Sequence, residues 1–472
     1  MAKKLINKDN LLASLPKEWP DNLLPEIQHQ IKISKHKVVV LDDDPTGTQT
    51  VHNLPILTEW SVETLSKELV SDLVAFYILT NTRSMPLSKA QSLNTEIGHN
   101  LIEAAYLVNR EFVVVSRSDS TLRGHFPGEV KALADGLEQD FDAWLIIPFF
   151  LEGGRYTIDD IHYVADGEWL VPASETEFAR DPTFSYAKSN LRQWVEEKTA
   201  GLISWDSVTS ISIEELRYGG PKRVAKYLSN LTRGKICVVN AASMRDLEVF
   251  TSGLLIAEAC GQQFLYRTAA SFVQVRAGLS SQPPLTQADL DLPKSGGGLI
   301  VVGSYVPRTT NQVNAILASS SIVSIEVNVE TLLDNEHQED EIKRVAHQAD
   351  QALGCNHDTL IYTSRQLVTG ENVKSNISIG QRISESLVSI VRMILTRPRY
   401  FVAKGGITSS DVATRGLDVK RAFVMGQVLP GVPVWELGSE SRYPGLVYIV
   451  FPGNVGSSQA LTELVAILKL TP

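Results

Sequence analysis

Two stretches of the chain repeat one grammar: a short β-rich run, a polar loop containing glycine, then a helical pattern. That alternation is the signature of parallel sheets covered by helices on both faces. Between the stretches, residues 280–298 read SSQPPLTQADLDLPKSGGG. A proline pair and a glycine triplet favour an extended connector over a packed element. The sequence therefore predicts an α/β chain of two domains with largely parallel sheets and a cleft between them. The first domain is placed at 1–280, a linker at 281–297 and the second domain at 298–472. A chain of 472 residues is too long for one ordinary core, which agrees with that division.

In the first domain, strands are expected at 37–41, 73–79, 112–116, 143–147, 236–239 and 264–266. Residues 161–163 and 168–170 flank Ala165-Asp166-Gly167 and read as a small hairpin, since Asp-Gly favours a tight turn. In the second, strands are expected at 299–302, 322–327, 359–362, 400–403 and 446–451. No short-period repeat or low-complexity tract interrupts the pattern.

Composition narrows the partners. With 43% hydrophobic and 21% charged residues the chain is globular rather than disordered. Lys and Arg number 44 against 54 Asp and Glu, a formal charge of −10 that disfavours non-specific nucleic-acid binding. An anionic substrate must then be drawn by local Arg, Lys and helix N-termini. Cys237, Cys260 and Cys355 show no metal-type spacing, which points to a reducing compartment without structural zinc. Lys3 and Lys4 precede no apolar h-region, and no apolar run is long enough to span a membrane. The expectation is a cytoplasmic protein without membrane or nucleic-acid partners.

Ligands of open α/β sheets bind beyond the carboxyl ends of strands, so the loops there carry the functional reading. After 37–41 comes Asp42-Asp43-Asp44-Pro45-Thr46-Gly47. Three successive carboxylates are costly to bury unless they find partners or a proton. They suit a general base, a hydroxyl acceptor or a Mg²⁺ contact, although an acidic turn would need the same Pro45 and Gly47. After 73–79, Arg83 could fork onto a carboxylate or form a plain salt bridge. After 112–116 comes Arg117-Ser118-Asp119-Ser120-Thr121-Leu122-Arg123-Gly124-His125, just before a helix expected at Pro127. Arg for a carboxylate, and Asp and Ser for hydroxyls, suit a polyhydroxylated anion. His125 reads equally as a structural residue, and Asp166 as the hairpin turn. Arg155 is a weaker anion candidate, and nothing in the sequence singles out Arg267 or Asn240.

Loops of the second half are rich in glycine and hydroxyls and poor in acid. They are Gly303-Ser304-Tyr305, Lys404-Gly405-Gly406-Ile407-Thr408 and Pro452-Gly453-Asn454-Val455-Gly456. Glycine lets backbone N–H groups approach an anion, and a following helix favours phosphate. Leu461, Leu464, Val465 and Leu468 then mark an amphipathic helix. Walker A, dinucleotide G-x-G-x-x-G, zincin and nucleophile-elbow motifs are all missing.

Taken together, these segments resemble the four-carbon acid sugar kinases. The resemblance rests on Asp43-Asp44-Pro45-Thr46-Gly47, the Arg117 to His125 segment, Gly303-Ser304, Gly405-Gly406-Ile407-Thr408 and Pro452 to Gly456, and so runs over almost the whole chain. It implies a substrate-binding N-terminal domain and a nucleotide-binding C-terminal domain. It also implies transfer from ATP, with Mg²⁺, to a hydroxyl of threonate, erythronate or an oxo-tetronate. By the resemblance Asp43, Asp44, Arg83, Asp119, Ser120, Arg123 and Gly124 line the sugar-acid site. We add Thr46 on its place in the acidic motif. The catalytic base comes from Asp43, Asp44 or Asp119, and Arg83 or Arg123 takes the substrate carboxylate. Ser304, Gly405, Gly406, Thr408 and Gly453 hold ATP, joined by Asn454 and Gly456 of the last loop. The metal ligands stay unassigned, and the pattern leaves room for a homo-oligomer. A non-catalytic sugar-acid-binding protein would leave the glycine loops idle. A lyase or epimerase acting on a phosphorylated sugar acid would use them for substrate phosphate.

Overall fold

The protein is described by a computed structural model that covers residues 6–318, 322–365 and 373–469, with side chains omitted for 373–378. The chain forms two compact units. One holds the residues up to Val51 together with Glu59–Ser281, and the other holds His52–Thr58 together with the chain from Gln282 onward.

The first unit is built on seven strands in the order Thr209–Ile211, Lys235–Val239, Ala143–Ile147, Phe264–Thr268, Phe112–Arg117, Lys37–Asp42 and Ala75–Leu79. Every neighbouring pair is parallel. The Lys37–Asp42 strand is buried at all six positions, as its Val38-Val39-Val40-Leu41 run requires. Each expected strand of this half is present within one or two residues at either end. The Asp-Gly hairpin also forms, with Asp166 paired to Trp169. It belongs to a separate antiparallel sheet in the order Ile6–Asn7, Trp169–Pro172, Ile161–Asp166 and Arg155–Ile158.

The second unit has the strand order Leu54–Leu57, Arg421–Leu429, Val432–Leu437, Val447–Phe451, Phe401–Lys404, Leu299–Val302, Thr359–Thr363 and Val323–Val327. The last five are mutually parallel. The first three run antiparallel to their neighbours, an addition that the sequence reading does not contain. The Ala460–Leu468 helix buries Leu461, Leu464, Val465 and Leu468 against Val302, Val402, Ile449 and Phe451, as its periodicity predicts. Among the described residues no helix is long and apolar enough to cross a membrane.

Two helices beside the site pack backbone to backbone. A Cβ on Gly98 of helix Leu87–Val108 would lie 2.6 Å from the Gly136 carbonyl carbon of helix Gly128–Gly136. A Cβ on Gly136 would lie 2.4 Å from the Thr95 carbonyl oxygen. Gly98→Val is therefore expected to cost about 1–3 kcal/mol through overpacking. Urea unfolding checks this, and an unchanged midpoint would show that the helices separate freely.

Candidate functional site

The site of the first unit begins in the backbone. Asp43, just past the Lys37–Asp42 strand, donates its N–H to the Arg117 carbonyl at 3.3 Å and accepts from the Arg83 N–H at 3.3 Å. The ends of three neighbouring strands are thereby laced together. Asp44 caps the Pro45–Thr48 turn by accepting from the Thr46 N–H at 2.8 Å, and it also takes the Thr46 hydroxyl. Gly47 has to be glycine, since a Cβ there would fall 1.9 Å from Asp42 Oδ2. On the other loop Leu122 and Gly124 take φ values of +70° and +113°. A left-handed leucine is a strained backbone of the kind that persists at functional loops.

Arginines and carboxylates then interlock. Arg83 pairs with Asp44 and, at 3.2 Å, with Asp119. Arg123 pairs with Asp119 at 2.8 Å and with Asp181 at 3.6 Å. Arg117 Nη1 lies 3.1 Å from Asp42 and 3.9 Å from Asp43. These contacts sort the acids. Burial works to raise Asp44 and Asp119, but Arg83 and Thr46 outweigh it for Asp44, and Arg123 and Arg83 do so for Asp119. Both carboxyls are held below the usual range. Asp42 is pushed up to about 7 by burial, against the pull of Arg117. Burial also raises Asp43, and neither of its carboxyl oxygens has a hydrogen-bond partner among the described residues. Asp43, like Asp42, is thus a buried carboxyl raised above its usual value, and its Oδ2 lies beside Gly124.

The structure therefore gathers Asp43, Asp44, Thr46, Arg83, Asp119, Arg123 and Gly124 in one cluster. The Ser120 carbonyl accepts from His162 Nε2 at 2.7 Å. His162 is lowered to about 4 by burial, so it is neutral, and Thr157 donates to its Nδ1 at 3.0 Å. His125 is tied to the Met85 carbonyl at 2.9 Å and packs edge-on against Phe184, a structural post. Arg117, Glu129, His162 and Arg267 join the cluster without having been assigned a role from sequence. Glu129 is pushed up to about 7 by burial and then by Asp43, and it holds Thr82 and Asn94. Its signal was hidden in a helix, where a lone Glu reads as solvated.

In the second unit three glycine loops follow neighbouring strands and meet at Ser304 and Thr408. A Cβ on Gly303 would lie 2.3 Å from Thr408 Oγ1, one on Gly405 3.1 Å from Ser304 Cβ, and one on Gly453 2.8 Å from Ser304 Oγ. Thr309 donates to the Gly453 carbonyl at 2.7 Å, and its hydroxyl lies 3.2 Å from Ser304 Oγ. Gly405, with φ +120°, precedes the short helix that Gly406 opens. Gly456, with φ +84°, offers its carbonyl to Arg308 at 3.4 Å. Asn454 is exposed at the loop tip. Lys404 is a member that the sequence reading quoted but did not assign. It is fully buried, donates to the Pro452 carbonyl at 3.0 Å and lies 3.7 Å over the Phe451 ring. Burial, then Arg308, lowers it to about 7. It ties two of the glycine loops together. Among the described residues no three His, Cys, Asp or Glu side chains form a metal-ligand set.

The Arg83 lattice gives a stability prediction. Arg83→Gln leaves Asp44 without its cation and Asp119 with Arg123 alone, and is expected to cost about 3–5 kcal/mol at neutral pH. Because Asp44 and Asp119 have depressed folded-state values, their contribution is present above the unfolded carboxylate range and is lost as pH falls through the folded values. Thermal unfolding against pH should show the wild type losing stability on the acid side and the variant losing less. Parallel curves would contradict this.

With that geometry in view, the comparisons are specific. Residues 38–276 match the family model of a sugar-binding N-terminal domain, and 299–461 match that of a nucleotide-binding C-terminal domain. The chain is 28% identical over 382 residues to the D-erythronate kinase of Heliobacterium modesticaldum, covering 75% of this chain and 79% of the relative. It is 25% identical over 338 residues to the 3-oxo-tetronate kinase of Cupriavidus necator, covering 69% and 72%. In fold it is similar to a DUF1537 protein of Haemophilus influenzae, with TM-score 0.62, 18% identity and coverage of 91% of this chain and 100% of that one. A Salmonella typhimurium protein described as a putative tRNA synthase gives TM-score 0.65 at 16% identity, covering 91% and 98%. At these identities the two structures speak for the fold alone. The domain matches and the kinase relatives agree with the resemblance read from the loops, and the chain belongs to the four-carbon acid sugar kinase family.

Proposed function

We propose that this enzyme transfers the γ-phosphoryl group of ATP to a hydroxyl, the terminal one, of a four-carbon sugar acid such as threonate, erythronate or an oxo-tetronate. The observation that carries the reading is Asp43: a buried carboxyl, raised by burial, with neither oxygen hydrogen-bonded among the described residues, just past the end of the Lys37–Asp42 strand. The kinase relatives named for erythronate and 3-oxo-tetronate support the substrate class.

Phosphoryl transfer asks a protein for alignment and charge neutralisation rather than covalent chemistry. Asp43 accepts the proton of the attacking hydroxyl. Asp44 and Asp119, held ionised by Arg83 and Arg123, fix the loops; Asp42 is held by Arg117 and Glu129 by Thr82 and Asn94, and Asp43 is the raised carboxyl with neither oxygen hydrogen-bonded among the described residues. Thr46, Ser120 and Gly124 shape the surface that meets the sugar hydroxyls. Ser304, Gly405, Gly406, Thr408, Gly453, Asn454 and Gly456 form the ATP site, where backbone N–H groups and the Ser304 and Thr408 hydroxyls meet phosphate oxygens. Mg²⁺ enters as part of the nucleotide substrate and neutralises charge between the phosphates.

ADP release with ATP and Mg²⁺, measured against a panel of threonates, erythronates and oxo-tetronates, tests the reading. ADP that depends on one of these acids supports it, and an enzyme that neither turns over nor binds ATP overturns it. Asp43→Asn is expected to lower kcat about 10²–10⁴-fold, the usual worth of a positioned base, with the KM for ATP unchanged. Since Asp43 is raised, the acidic limb of the wild-type rate profile should lie above the ordinary carboxylate range. Unchanged turnover in the variant would remove Asp43 from the mechanism.

A further inference from the structure

Arg83 and Arg123, the arginines first expected to take the substrate carboxylate, already hold carboxylates of the chain itself. Arg267 differs. It stands at the carboxyl end of the Phe264–Thr268 strand, next to the Phe112–Arg117 strand, and is 2% exposed. Its Nη2 donates to the Arg123 carbonyl at 2.9 Å, but Nη1 has no hydrogen-bond partner among the described residues. Nor does any described carboxylate lie within ion-pair distance of it, although Arg83, Arg117 and Arg123 around it each have at least one.

The guanidinium is also pre-positioned. It lies 4.9 Å from the Trp194 ring centre and 5.8 Å from that of Phe126, and the two rings stack at 4.8 Å. Aromatic faces orient the planar fork and strip its water. An arginine cannot shed its charge to escape burial, so a buried fork without a carboxylate is suited to one that arrives with a ligand. Burial does lower Arg267, with Asp43 the first of the acids opposing it.

The neighbouring backbone leaves room for that ligand. A Cβ on Gly124 would lie 3.2 Å from Asp43 Oδ2 and 4.0 Å from Arg267 Nη2, so both groups border one small space that glycine keeps open. A molecule bearing a carboxylate and hydroxyls can meet both, with the carboxylate on the fork and a hydroxyl on Asp43. Arg155 also lacks a carboxylate among the described residues, but it is less buried and turns Nη1 back onto the Gly153 carbonyl.

We propose that Arg267 is the carboxylate anchor of the sugar-acid site and sets the preference for acids over neutral sugars. The proposal rests on the sugar-acid reading above. Its test is calorimetric binding, without ATP, of the sugar acid and of its primary amide, to the wild type, Arg267→Gln and Arg267→Lys. Wild type should prefer the acid. Arg267→Gln should weaken acid binding about 100-fold, as loss of a charged hydrogen-bonded pair does, and should bind acid and amide alike. Arg267→Lys keeps the charge beside the rings without the fork, and about a tenfold loss is expected. Should the Gln variant fail to fold by its unfolding midpoint, the Lys variant decides. A variant that keeps the wild-type preference for the acid, or a wild type that binds acid and amide equally, overturns the proposal. Acid preference without ADP formation would sink the kinase reading and leave Arg267 in place.

Discussion

Arg83 is the group through which the parts of the first site act on one another. Its guanidinium grips Asp44 from the loop after the Lys37–Asp42 strand and Asp119 from the loop after the neighbouring Phe112–Arg117 strand. Without a cation between them, buried carboxylates in adjacent loops would repel and take up protons. With it, Asp44 and Asp119 stay ionised and serve as fixed acceptors for Thr46, Thr121 and Arg123. That leaves Asp43, laced by its backbone to both neighbouring strands, as a carboxyl whose oxygens face no donor among the described residues. The acid cluster is a division of labour: some carboxylates hold the frame, and Asp43 is left raised with no hydrogen bond to its oxygens among the described residues.

The proposed nucleotide site of the second unit is built by another route. Its loops carry little acid, and they converge closely because Gly303, Gly405 and Gly453 leave no side chain where Ser304 and Thr408 stand. Lys404 is more than a loop residue. Buried over Phe451 and bonded to the Pro452 carbonyl, it joins the loop of its own strand to that of the next. A buried ammonium lowered to about 7 gains its full charge most readily when phosphate is near.

Much of this was legible in the residues, for identifiable reasons. Strands buried on both faces are continuous apolar runs, and Lys37–Asp42 and Val447–Phe451 read as such. The Arg421–Leu429 strand did not, although its burial alternates residue by residue, because Phe423, Met425 and Leu429 on its less buried face are themselves apolar and mask the period of two. Leu54–Leu57 joins the second unit's sheet by pairing with that strand, a long-range contact with no local signal. At the site, the loops were readable from composition, but the pairing within them was not. Sequence shows Arg117 and Arg123 near Asp119, but no acid beside Arg83 or Arg267. Only the fold shows that Arg83, Arg117 and Arg123 are engaged by the chain's own carboxylates and that Arg267 is packed against the Trp194 and Phe126 rings.

Under the proposed function two ligands are divided between two units: sugar acid on the Asp and Arg loops, nucleotide on the glycine loops. Hydrogen exchange on the full-length protein with each ligand alone tests that division directly. Sugar acid should protect the backbone at 42–48 and 117–125, and ATP with Mg²⁺ that at 303–309, 404–409 and 452–457. Protection of the glycine loops by the acid, or of the Asp43 and Gly124 loops by ATP alone, would contradict it.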